Sequence, residues 1–294
     1  MLPTDPRDYQ IIFLSMFLVL GIGTRDWTLR PDLILVVIVT CLLTQGAAVF
    51  LLPKCRANLQ NLFKKEKSCS NEAKASFLSS LKLTSLKSAL ITALGLSLLL
   101  RADHYSTMIW AGALAILSKF LLQIEGKHFF NPANFGIIAV FILTNDAWVS
   151  PGQWGDNLLY ALLFAGTGGM VLKRVGRWDT TAAFLGTYAL LEAVRNVWLG
   201  WTWDVFTHRL MSGSLLLFAL FMITDPRSIP NARISRLIWA VCIALVTFIL
   251  RNQFFSSTAV FWALFALSPL SLLLDFIWSA PRFSWVEEKL KMEN

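Results

Sequence analysis

Two short stretches of this sequence hold the residue types that could do chemistry. One is KHFFNPANFG, Lys127 to Gly136; the other is TDPRSIPNARISR, Thr224 to Arg236. In the first, Asn131 precedes Pro132, which lacks an N–H and suits the first turn of a helix that Asn131 can cap. Such a helix directs its positive end and free N–H groups, with Asn134 in its first turn, at whatever lies before it. A buried start of this kind suits an anionic or electron-rich group, such as a flavin pyrimidine edge, a quinone carbonyl or a phosphate. The plainer reading is a capped helix at an interface, holding only backbone and water.

In the second stretch, Thr224-Asp225-Pro226 ends a hydrophobic run sharply, because the residue before a proline is pushed out of the α region. Asp225 is an ionisable group close to membrane depth, where such groups are functional by default. Its plainer reading is an ion pair with Arg227 or Arg233 that fixes the loop. Lys119 either reaches into a site or snorkels to the surface, and Asp275 has a similar ambiguity. Glu192 and Arg195, three apart on one helix, are expected to pair with each other. Gly166 to Gly169, GTGG, permits close helix packing; no GK[ST] follows, so it is not a phosphate loop. His104, His128 and His208 are scattered without metal-ligand spacing, and no nucleophile, base and orienter set assembles.

These residues sit in a chain of 294 residues that is 56% hydrophobic and 15% charged, with mean hydropathy +0.60. Such values lie outside the soluble range and fit an all-α polytopic membrane protein with short loops. MLPTDPRDYQ lacks the basic n-region of a removable signal peptide. The net charge of +8 is spread between hydrophobic spans, not on one soluble face, so topology explains it better than nucleic acid. Cys41 and Cys242 lie in separate spans and Cys55 and Cys69 flank a basic loop. With no CxxC, neither a disulfide framework nor a zinc site is expected.

A spanning helix needs about 20 apolar residues, somewhat fewer with snorkelling flanks. Ten spans follow: Tyr9 to Thr24, Leu33 to Leu52, Leu83 to Leu100, Thr107 to Ile124, Pro132 to Asn145, Asn157 to Leu172, Thr180 to Leu199, His208 to Thr224, Leu237 to Leu250 and Ser257 to Ser279. With both termini cytoplasmic, all of the 26 Lys and Arg fall inside except Arg25, Arg30, Arg101, Arg195, Arg209 and Arg251. Tryptophans at 27, 110, 148, 154, 178, 198, 201, 203 and 278 fall near the expected interfaces. Ten spans divide into two five-helix halves, 1–145 and 146–294, of opposite orientation. Inverted repeats place their site where interrupted helices meet. LKSALITALGLSLLL echoes RLMSGSLLLFALFMIT, and FNPANFGIIAVFI echoes LSPLSLLLDFI.

The sequence resembles the NqrB/RnfD family of membrane electron-transport proteins, which includes the D component of Rnf complexes and the B component of the sodium-pumping NADH:quinone oxidoreductase. The resemblance is carried by LITALGLSLLL, WAGALAILSKFLLQIEGKHFFNPANFG, WDTTAAFLGTYALL and LMSGSLLLFALFMITDPRSIP, from about Leu83 to Asp275. It implies an inverted five-plus-five helix fold like that of urea and ammonium channels, in a bacterial inner membrane. It also implies flavin or quinone redox chemistry coupled to ion movement in a multisubunit complex. Redox members of that family carry covalent FMN on a threonine of a Ser-Gly-Ala-Thr-like motif between the fifth and sixth spans. Here that loop reads NDAWVSPGQWGDN, and Thr144 and Ser150 are poor substitutes. The N-terminal DPRDYQIIFLSMFLVLGI is similar to short standalone relatives associated with enediyne biosynthesis clusters.

The expectation is therefore an integral membrane electron-transport component, at most one part of an oxidoreductase or translocase complex. It would use a non-covalent flavin (FMN or riboflavin) or a quinone, and no metal. Its cofactor-binding residues would be Lys119, Asn131, Pro132, Asn134, Thr224 and Asp225. The expected partners are the lipid bilayer and redox subunits, not nucleic acid. The alternative is a transporter, channel or biosynthetic accessory protein that kept the fold and lost the redox function.

Overall fold

A computed structural model describes residues 5–24, 30–51, 71–150 and 158–283 of the chain. Cys55, Cys69, Trp27, Trp154 and the end of the NDAWVSPGQWGDN loop lie outside the described residues. Helices dominate. The first half holds α1 (Pro6–Thr24), α2 (Pro31–Leu51), α3 (Asn71–Leu99), α4 (Tyr105–Leu121) and α5 (Pro132–Leu143). The second half holds α6 (Leu158–Val175), α7 (Trp178–Trp198), α8 (Trp203–Leu210), α9 (Gly213–Leu217), α10 (Arg233–Asn252), α11 (Ala259–Leu267) and α12 (Leu270–Ile277). A π-helical turn, Phe218–Met222, continues α9. Four very short strands form two antiparallel ribbons. β1 (Leu100–Ala102) pairs with β4 (Ala147–Val149), and β2 (Gln123–Ile124) with β3 (Lys127–His128).

Each of the ten expected spans coincides with a helix or a broken helix, and local chemistry explains the ends. Pro31 and Pro132 stand at first helical positions, where a missing N–H costs nothing. α7 stops in a left-handed turn at Gly200, φ +67°, where the Gly200 and Trp201 N–H groups return to the Val197 and Asn196 carbonyls. Two expected spans are broken. The eighth bends by 50° between α8 and α9, where Ser212 caps the new helix, and the tenth bends by 46° at Pro269.

Among the described residues, two helices are long and apolar enough to cross a membrane, Pro31–Leu51 and Arg233–Asn252. Counting each bent pair as one span raises this to four. The other helices are shorter or more polar than the ten-span reading assumed. The ten spans and their inversion thus remain a reading of the sequence.

The core runs through both halves. Phe17, Phe164, Phe184, Tyr188, Phe218, Trp239 and Phe261 are almost wholly buried. α2 packs along α4 and α4 along α5; in the second half α7 packs along α10 and α10 along α11. Gly136 permits the α4–α5 approach, because a Cβ there would stand 2.5 Å from the Ala111 carbonyl oxygen and 2.8 Å from Ala115 Cβ. Gly168 of GTGG serves α6 the same way against Leu220, whereas Gly166 and Gly169 face open space.

The charged residues collect at two ends of the helices. At one end, Lys87 pairs with Asp8, Lys127 with Asp275, Arg236 with Asp179 and Arg282 with Glu125. At the other, Arg30 pairs with Asp32, His104 with Asp146 and Arg209 with Glu192. Every one of these contacts joins helix ends that the span count puts on the same side. Trp110, Trp148, Trp178, Trp198, Trp201, Trp203 and Trp278 are exposed.

Candidate functional site

The KHFFNPANFG stretch folds as its residue types dictate. Asn131 Oδ1 accepts the Asn134 N–H at 3.0 Å, closing the N-cap, and Pro132 opens α5. Asn131 Nδ2 donates to the Met222 carbonyl at 3.0 Å, tying this helix start to the end of the π turn. Asn134 is fully buried and donates to the Phe261 carbonyl at 3.1 Å, joining α5 to α11. Its Oδ1 has no partner among the described residues.

Thr224 and Asp225 lie immediately past the π turn, in the loop that Pro226 forces. Thr224 Oγ1 donates to the Leu220 carbonyl at 3.0 Å. An Asp225 carboxylate oxygen accepts the Arg227 N–H at 3.3 Å, and the other lies 3.7 Å from His128 Nε2. Burial pushes the His128 imidazole below its ordinary value, and the Asp225 carboxylate only partly restores it. Burial would raise the Asp225 carboxyl, but His128 and the Arg227 N–H together hold it below the usual carboxylate range.

These elements close around one cavity of ≈ 100 Å³. Lys119, Asn131, Pro132, Thr224 and Asp225 all line it; Asn134 stands behind the wall and does not. The remaining polar lining is Arg7, Gln10, Ser88, Thr92, His128 and Arg227. The apolar walls come from Leu14, Ile91, Leu98, Val171, Leu172, Phe221 and Met222. α1, α3, α4, α5, α6 and the π turn therefore all contribute, so the cavity belongs to both halves.

Several expected pairings are corrected by this geometry. Lys119 does not snorkel outward. It is buried, and its Nζ donates to the Ser88 carbonyl and hydroxyl oxygens, both at 3.2 Å. Arg233 approaches Asp179 at 3.7 Å, not Asp225. Asp275 is not free in its helix: it takes the Lys127 ammonium and the Asn231 backbone and side-chain N–H groups. Glu192 does not pair with Arg195. It is buried and held by Tyr188, Arg209 and Asn252, while the Arg195 guanidinium lies 4.6 Å above the Trp201 ring.

His128, Arg7, Ser88 and Arg227 belong to the lining and were missed as site residues in the sequence. For His128 and Arg227 a signal existed, since both flank the two motifs. For Arg7 and Ser88 none did, because only packing of α1 and α3 brings them in.

Apolar side chains form the walls, and donors from Lys119, His128, Arg227 and the α5 start gather at one end. Thr144 Oγ1 donates to the Val140 carbonyl of its own helix at 2.8 Å. Neither Thr144 nor Ser150 reaches the cavity. Among the described residues, no group of three His, Cys, Asp or Glu is placed to hold a metal ion.

Similarity to known proteins covers part of the chain. The sequence pattern described as the NQR2, RnfD, RnfE family matches residues 143–282. The chain is 26% identical over 133 residues to the D component of the ion-translocating oxidoreductase complex of Halorhodospira halophila (strain DSM 244 / SL1), covering 45% of this chain and 37% of that protein. It is 31% identical over 126 residues to the protein of the same name from Stutzerimonas stutzeri, covering 43% and 35%. Against that of Actinobacillus pleuropneumoniae serotype 5b (strain L20) it is 31% identical over 102 residues, covering 34% and 28%. The matches thus span about a third of these relatives' length. Over residues 143–282, which include the TDP motif and the π turn before it, this chain is similar to the NQR2, RnfD, RnfE family.

Proposed function

We propose that this protein is an integral membrane electron-transport component resembling the D component of ion-translocating oxidoreductase complexes, with a non-covalent flavin or a quinone in its cavity. One observation carries the reading: the start of α5 and the loop after the π turn, far apart in the chain, line the same cavity. The family match and the names of the relatives supply the chemical class.

A flavin or quinone supplies reversible electron transfer that amino-acid side chains cannot. The chain's own residues would hold and orient it. Asn131 fixes the direction of α5, so that its first turn meets an electron-rich or anionic group of the ligand. Lys119 and Arg227 offer charge-assisted donors, and the Leu14, Ile91, Leu98, Phe221 and Met222 side chains exclude water. His128 Nε2 and Asp225 Oδ2 are the groups in the wall able to hold a proton beside a carbonyl or ring nitrogen.

The proposed setting is the bacterial inner membrane, spanned about ten times, with both termini cytoplasmic and redox partner subunits docked there. Segregation of ion pairs to two ends supports such a topology, as do the exposed tryptophans. The packing of α2 on α4 is repeated by that of α7 on α10, which supports an inverted repeat. The cavity lies at the end rich in Lys and Arg, the proposed cytoplasmic side. Coupling to ion movement follows from the relatives' names alone.

Reductive titration of the purified protein tests the redox reading. An ultraviolet–visible spectrum that changes on reduction and recovers on reoxidation supports it; an unchanging spectrum counts against it. A second reading is a transporter or channel-like accessory protein without redox function. The loop NDAWVSPGQWGDN favours it, since the covalent attachment motif is missing. Proteoliposomes that pass no ion or solute would count against that reading.

A further inference from the structure

Positive charge in the cavity exceeds what the surrounding protein answers. Lys119 is more than nine-tenths buried, and its ammonium has only the Ser88 carbonyl and hydroxyl as partners, both neutral. No carboxylate lies within ion-pair distance of it among the described residues. A buried ammonium in that state is costly unless a counter-charge arrives. Arg227, at the mouth, is exposed, and its guanidinium has no carboxylate partner among the described residues. Arg7 is answered by Asp5 at 2.7 Å and adds nothing to the excess. The one carboxylate among the described lining residues is Asp225, already engaged by the Arg227 N–H and placed beside His128.

The first turn of α5 adds to this. The cap occupies the Asn134 N–H, and Phe135 N–H returns to the Asn131 carbonyl. Ala133 N–H has no acceptor among the described residues, and Ala133 lines the cavity. A neutral ligand would leave Lys119 and Arg227 to share the single Asp225 carboxylate with His128, whereas a phosphate monoester would bring the missing negative charge.

We propose that Lys119, Arg227 and the first turn of α5 form a subsite for a phosphate-type anion, so that the cavity prefers a phosphate-bearing ligand to a neutral one. The inference deepens the redox reading, on which its choice of flavin rests: the non-covalent flavin would be FMN rather than riboflavin. A lipid headgroup carries the same chemistry, and the test separates the two sources.

The test uses the full-length protein in nanodiscs of neutral lipid, with binding of FMN, riboflavin and inorganic phosphate followed by calorimetry. The expected result is FMN binding about tenfold or more tighter than riboflavin, the scale of a charge-assisted hydrogen bond. Arg227→Gln and Lys119→Met would each bring the ratio towards one, with FMN binding losing more than riboflavin binding. Arg227 is exposed, so its variant folds even where Lys119→Met does not. Equal binding of FMN and riboflavin overturns the subsite and leaves the flavin reading standing. Phosphate or phosphatidylglycerol binding that is lost in Arg227→Gln, with neither flavin bound, supports the subsite with a lipid or free-phosphate source and removes the flavin reading. No binding of any of these probes overturns both.

Discussion

Asn131 Nδ2 donates to the Met222 carbonyl at 3.0 Å, so one side chain caps α5 and also holds the end of the π turn 91 residues away. The π turn leaves its last carbonyls without regular helical partners, and such turns recur at functional sites. Asn131 meets one of them. The two motifs that looked separate in the sequence are thereby fixed to one another across the two halves of the chain.

Asn131→Ala removes both bonds. The lost cap costs about 1 kcal/mol, and losing the bond to the Met222 carbonyl, which keeps the Asp225 N–H, adds roughly 0.5–1.5 kcal/mol. Thermal unfolding in detergent should show a clearly lowered midpoint. An unchanged midpoint would mean that the two motifs are not coupled through this residue.

Gly136→Ala places a methyl group against the Ala111 carbonyl oxygen, where no flexible side chain can give way. α5 must move off α4, at a cost of about 1–3 kcal/mol. Gly169→Ala, which meets nothing within 4 Å, is the matched control. Similar midpoints for the two variants would contradict close packing of α4 on α5.

Acidification should destabilise the protein through His128. Burial comes first among the causes that lower its folded pKa; Arg227 and Lys119 lower it further, and Asp225 opposes them. With the folded value below the unfolded one, the unfolded chain binds the extra proton. Stability is then complete above about pH 6.5 and falls as the pH drops below it. Asp225, also lowered, acts in the same direction at lower pH, towards and below about pH 4. His128→Gln should flatten the part of the melting-temperature profile between about pH 5 and 7. A profile identical to that of the unaltered protein would remove His128 as the cause.

Glu192 anchors the opposite end of the molecule. It is 2% exposed and accepts hydrogen bonds from Tyr188, Arg209 and Asn252. Glu192→Ala leaves Arg209 without its counter-charge and should cost about 3–5 kcal/mol. Glu192→Ala combined with Arg209→Ala should cost less than the two single changes added together, because they remove one shared network. Strict additivity in chemical unfolding would show that the pair is not coupled.

Local signals were legible and distant ones were not. Pro132 and Asn131 announced the start of α5, and Thr224-Asp225-Pro226 announced the stop after the π turn, because prolines and caps act on their immediate neighbours. The Glu192–Arg195 pairing failed for the opposite reason. Helical spacing makes an i,i+3 pair available, but α8 and α10 bring Arg209 and Asn252 to Glu192 instead, and Trp201 takes Arg195. For Lys119 the sequence left two readings open, and the inward one holds because α3 covers it with Ser88. The break between α8 and α9 was also hidden: RLMSGSLLLFALFMIT is mostly apolar, and only Ser212 and Gly213 mark the bend.

Extraction of the cofactor from the intact protein, purified gently in its native lipid, tests the central claim most directly. Mass spectrometry and absorbance of the extract should find a flavin or a quinone in near-equal proportion to protein. Thr92→Phe, which fills the cavity from α3, should strongly reduce that yield while the protein stays folded. A folded, unaltered protein whose extract contains neither flavin nor quinone would contradict the redox function proposed for this chain.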